Sequence, residues 1–90
     1  MTEVFVTREF EIRYQDLPEA IKKLAQKQEH LFRKNIFYPS LRTEKLEPKG
    51  KQIWSFRIDR KYRVFFKFIG SNKVLFLTVG PHDWVYKLKF

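Results

Sequence analysis

The sequence predicts an α+β fold in which a small antiparallel sheet of about four strands, mainly a meander, packs against one or two N-terminal helices. Three observations carry this. Three closely spaced apolar runs fill residues 53 to 79. One amphipathic stretch of helical period precedes them. An alternating segment lies near the N-terminus. At 90 residues, 43% of them hydrophobic, the chain is expected to form a single domain over 1–90. Ten Phe, four Tyr and two Trp supply large buried areas that help a small core offset chain entropy.

In chain order, Val4, Val6, Phe10 and Ile12 recur at even spacing between polar residues, which predicts a first, half-buried strand. Asp16, Pro18 and Glu19 predict a helix start, with Asp16 as cap and Pro18 in the first turn, where no donor is needed. From there Leu17, Ala20, Ile21, Leu24, Gln28, Leu31, Phe32 and Asn35 fall on one helical face. The helix is expected to end by Asn35 or Phe37, ahead of Pro39, and could bend near Gln28 into two. Residues 39–51, with two prolines and one glycine, read as a loop anchored by Leu41 and Leu46.

Strands are predicted over Ile53 to Ile58, Tyr62 to Ile69 and Lys73 to Val79, with Gly80 and Pro81 ending the sheet. Alternation puts Trp54, Phe56 and Ile58 on one face with Tyr62, Val64, Phe66 and Phe68, against the helix.

Charge is unevenly placed. Residues 1–45 hold nine Lys/Arg against seven Asp/Glu, whereas residues 46–90 hold ten against three, within a total of +9. A cationic field of this kind concentrates polyanions, so nucleic acid is the leading partner class, ahead of an acidic protein or a membrane surface. The absence of cysteine excludes a thiolate zinc site, and the two histidines, His30 and His82, have no further ligands to make a metal centre. No metal or cofactor is expected. Without a signal-like N-terminus or an uncharged apolar run near membrane-spanning length, a cytoplasmic protein is expected, with no membrane partner.

The candidate site follows from strand register. If Ile58 pairs with Tyr62, Arg57 stands directly across from Arg63 on the face away from the aromatic set. Like charges so placed repel, and a fold that keeps them has use for an anion; two guanidinium forks suit a phosphate. The alternative is that they point apart into water or that one pairs with Asp59 or Asp83. A one-residue slip would separate them. Lys49, Lys51, Arg60, Lys61 and Lys67 form a candidate rim tracking an RNA or DNA backbone. His82 and Tyr86, four residues apart, reach the same side whether the segment is helical or extended. They would serve as a proton-transfer pair, or the phenol would stack on a base, against the alternative of a surface histidine and a packing tyrosine.

The order of these elements, with the stretches HLFRKNIFYPSLRTEKLEPKGKQIWSFRI, KYRVFFKF and VGPHDWVY, resembles the RelE/ParE superfamily of type II toxins. The motifs that carry the resemblance are the Pro39, Ser40, Leu41 and Leu46 spacing, the Trp54 strand, the Tyr62–Arg63 pair and the terminal His82, Asp83, Val85 and Tyr86. The resemblance implies a toxin that cleaves mRNA on the ribosome without metal, and a cognate acidic antitoxin as partner. It implies that Arg63 holds the scissile phosphate, that His82 acts as acid or base, and that Tyr86 stacks on or orients a base. Arg57, Arg60 and Lys61 are added from sheet geometry and the basic rim, and Lys49 and Lys51 from a general tendency toward lysine there. Trp84 departs from the acidic residue usual after His-Asp in such toxins. A gyrase-directed or catalytically silent toxin relative that binds an acidic antitoxin is the alternative function, and a simple RNA-binding sheet the third.

Overall fold

A computed structural model describes residues 1–46 and 52–81. The order is β1 (Glu3–Val6), α1 (Arg8–Gln15), α2 (Glu19–Lys34), a 3₁₀ turn at Pro39–Leu41, β2 (Glu44–Lys45), β3 (Trp54–Arg57), β4 (Tyr62–Gly70) and β5 (Lys73–Pro81). Among the described residues the strands form one five-stranded sheet in the order β1-β5-β4-β3-β2. Strands β3 to β5 are the expected antiparallel meander; β2 extends it, antiparallel to β3, and β1 lies parallel to β5.

The N-terminal segment departs from its alternating pattern. Only Glu3–Val6 is strand; Phe10 and Ile12 belong to α1. Thr7 makes the break. Its hydroxyl accepts from the Phe10 N–H at 3.0 Å and donates to the Leu77 carbonyl at 2.7 Å. It thus caps a helix and ties that helix to β5. Glu9 and Glu11 add negative charge to the first turn, where the helix dipole favours it.

Asp16, expected to cap the long helix, instead closes α1, its N–H donating to Arg13. Helix α2 starts from Pro18, which has no N–H and whose carbonyl accepts from Ile21 and Lys22. It runs unbroken past Gln28 to Lys34. Its buried stripe is Ala25, Gln28 and Phe32 with Ile21 partly covered, so the face is rotated from the expected one and leaves Ala20 and Leu24 exposed. The predicted loop contains β2, and Leu41 is its anchor, fully buried. Gly80 and Pro81 extend β5 opposite Arg63 and Tyr62 instead of ending the sheet.

Phe32 joins the two layers. Its ring lies 4.7 Å from Phe56, 5.0 Å from Phe66 and 5.5 Å from Phe76 between centroids, reaching three adjacent strands. Phe10 adds α1 to the same face through Phe76 at 5.3 Å. Both helices therefore cover one side of the sheet, the side carrying Phe56, Val64, Phe66 and Phe76. The period of two sends Arg57, Arg63 and Phe65 to the other.

Candidate nucleic-acid interface

The β3–β4 hairpin sets the site. The Asp59 carboxylate accepts from the N–H groups of Lys61 and Tyr62, both at 2.8 Å, and the Ile58 N–H donates to the Tyr62 carbonyl at 3.0 Å. An aspartate that closes its own turn pins the register. Arg57 consequently stands directly opposite Arg63, as the spacing predicts. On the other flank Arg63 is paired with Gly80, so β5 places no side chain beside it at that position.

The two guanidiniums are held differently. Arg63 is only 8% exposed, and its Nη1 donates to the carbonyls of Asp59 at 3.0 Å, Arg60 at 3.3 Å and Tyr62 at 3.5 Å. These fix one arm; among the described residues, Nε and Nη2 bond to nothing. Burial, and then the neighbouring Arg57 charge, hold the Arg63 pKa below the usual arginine value, against weaker opposite pulls from Glu44 and Asp59. Arg63 stays cationic at neutral pH. Arg57 is half-buried, and its Nε is buried with no hydrogen-bond partner among the described residues. Its backbone is anchored from the helix side: Gln28 Nε2 donates to the Arg57 carbonyl at 2.8 Å and to that of Ser40 at 3.3 Å.

Ser55, Phe65 and Thr78 are buried on the arginine face, and the Thr78 hydroxyl likewise has no partner among the described residues. A buried, unpartnered donor or acceptor is costly unless something completes it. Here an Arg57 N–H with no partner among the described residues lies on the same face as two opposed positive charges, an arrangement whose electrostatics favour an anionic acceptor.

The rim residues divide. Arg60 and Lys61 are exposed in the hairpin turn. Lys61 lies over the Tyr62 ring at 5.5 Å. Lys67 is exposed on β4. Lys49, Lys51, His82 and Tyr86 lie outside the described residues, as does Asp83. Gln28, Glu44, Thr78 and Gly80 were not singled out from sequence as parts of the site. Of these only Gln28 carried a signal, an amide within an otherwise apolar helical stripe, which in a core must find partners.

A family model described as "RelE-like toxin of type II toxin-antitoxin system HigB" matches residues 13–82. The chain belongs to this HigB-like toxin family. It is thus a RelE-like toxin of a type II toxin–antitoxin system. The match stops at His82 and does not reach Val85 or Tyr86. No curated protein matches the sequence of this HigB-like toxin. Its fold is similar to that of the YoeB/ParE toxin from Agrobacterium tumefaciens, at 17% identity and TM-score 0.73, covering 91% of this chain and 99% of that one. Similarity extends to YafQ from E. coli strain BL21(DE3), at 10% identity and TM-score 0.75, over 96% and 99% of the two chains. It extends also to the archaeal RelE–RelB complex from Pyrococcus horikoshii OT3, at 18% identity and TM-score 0.71, over 89% and 93%.

Proposed function

We propose that this toxin, acting as one domain over 1–90, is a ribosome-dependent mRNA endonuclease of the cytoplasm that needs no metal. The observation that carries the reading is the Arg57–Arg63 pair, two guanidiniums in register on the face opposite α1 and α2, one buried and locked by carbonyls and the other with an N–H that has no partner among the described residues. In the reaction the RNA 2′-oxygen attacks the adjacent phosphorus, the bond to the 5′-oxygen breaks, and a 2′,3′-cyclic phosphate remains. The 2′-OH loses a proton and the leaving oxygen gains one. Arg63 holds the phosphate and opposes the charge that builds on its non-bridging oxygens, an electrostatic contribution of about 3–4 kcal/mol in a preorganised site. Arg57 supplies the second fork, and Arg60, Lys61, Lys49 and Lys51 track the flanking phosphates. His82 exchanges the protons. Tyr86 orients the base beside the scissile bond. An acidic antitoxin is the regulatory partner; the RelE–RelB, YoeB–YefM and DinJ–YafQ structures are complexes of toxin with antitoxin.

The test is transcript-end mapping on ribosomes translating a defined mRNA, with purified, antitoxin-free toxin and chelator present. The parent is expected to leave new ends, and the Arg63→Ala/His82→Ala double variant none. Intact mRNA together with inhibited gyrase would replace this reading by a gyrase-directed one. Equal cutting by parent and double variant would move the site elsewhere.

A further inference from the structure

A second surface lies on the helix side of the sheet, at the opposite end of β3 from Arg57. Four aromatic rings climb outward from the core there. Phe66 meets Phe68 at 5.6 Å and 75°, Phe68 meets Trp54 at 5.5 Å and 86°, and Trp54 meets Phe37 at 6.0 Å and 74°. Each contact is edge to face, so the chain is packed and defined, not a loose collapse. Its outer members are open to solvent all the same: Phe68 is 41% exposed, Phe37 59% and the adjacent Tyr38 42%. A contiguous aromatic patch of this kind marks an interaction site, whereas scattered exposed apolar residues do not.

The surroundings select the occupant. Lys45 is the register partner of Trp54. Lys34 precedes Phe37, and Arg42 closes the Pro39–Leu41 turn. The Thr43 hydroxyl donates to the Ile36 carbonyl at 2.5 Å, folding this segment back on itself. No acidic residue occurs between Lys34 and Thr43, and Glu44, the partner of Ser55, belongs to the other face. The patch is therefore an apolar centre with Lys45 beside it in register and Lys34 and Arg42 flanking its Phe37–Tyr38 segment in sequence. Edge-to-face packing leaves Trp54 with ring neighbours on both sides, which suits insertion of apolar side chains and not parallel stacking of nucleotide bases.

We propose that this patch docks an acidic, apolar-anchored segment of the antitoxin, at a place separate from the arginine face. The inference rests on the toxin–antitoxin reading above. Aliphatic or aromatic side chains of the antitoxin seat against Phe37, Tyr38 and Phe68, while its carboxylates meet Lys34, Arg42 and Lys45.

The probe is the acidic protein encoded beside this chain's gene, titrated into the full chain. Phe37→Glu/Tyr38→Glu, at two exposed positions, is expected to weaken binding by about 100-fold or more, as removal of an aromatic anchor does. Circular dichroism should match the parent. Lys34→Glu/Lys45→Glu is expected to weaken binding about tenfold and to flatten its salt dependence. Arg63→Ala serves as the comparison and should keep most of the affinity. Affinities of both double variants within twofold of the parent would overturn the proposal. So would loss of single-stranded RNA binding by Phe37→Glu/Tyr38→Glu with antitoxin affinity unchanged, which would assign the patch to RNA. If no neighbouring acidic protein binds even the parent, the antitoxin reading itself falls, a result distinct from unchanged variants.

Discussion

Arg57 and Arg63 occupy a position that folding alone would not favour. Directly opposed like charges on a sheet oppose stability by about 0.2–1 kcal/mol, and the buried Arg57 Nε, without a partner among the described residues, adds to that. Arg57→Met keeps much of the side chain's length while removing the charge and the buried N–H. The expected outcome is a gain of about 1 kcal/mol, read as a melting temperature about 4–8 °C higher for a domain of this size, together with weaker RNA binding. Gln28 works in the other direction, since its amide satisfies two carbonyls and fixes the Arg57 backbone. Gln28→Leu should lower stability by about 1–3 kcal/mol in urea titration, because both carbonyls lose their donor. The opposed arginines were legible in the sequence because alternation and a three-residue turn define register. The Gln28 anchor was not, because a helical stripe gives a residue's side but not its partner across the interface.

At the scale of elements, the sequence reads well where pattern and packing coincide and poorly where a single contact decides. Strands β3, β4 and β5 follow their apolar alternation and short turns. The segment Val4 to Ile12 fits alternation too, yet Thr7 divides it, because one hydroxyl both caps α1 and binds β5. Even spacing cannot register that. Phe10 and Tyr14, four apart and stacked at 5.9 Å, are the helical signal that the alternating pattern masked. Strand β2 is two charged residues whose strand character comes from pairing with β3, which no local propensity reports. Thr7→Ala is expected to cost about 1–2 kcal/mol, with helical ellipticity lost before the sheet in a thermal melt. Unchanged unfolding would mean that the cap does not hold α1.

Across the whole molecule, the two sides of the sheet differ in chemistry, apolar beneath α1 and α2 and carrying the arginine pair on the other. Phe32 gathers Phe56, Phe66 and Phe76 into a core that fixes both helices on one side. The other side holds the Arg57 and Arg63 charges, which that core could not accept. The concentration of basic residues in the second half of the chain agrees with the placement of Arg57 and Arg63 on that side. The central claim is that the buried Arg63 fork acts on the scissile phosphate, and single-turnover cleavage on mRNA-programmed ribosomes measures it most directly. Arg63→Ala should slow cleavage by about 100-fold or more, and Arg63→Lys, which keeps the charge but loses the fork, should fall nearly as far. Cleavage by a folded Arg63→Ala toxin within twofold of the parent rate would contradict the account.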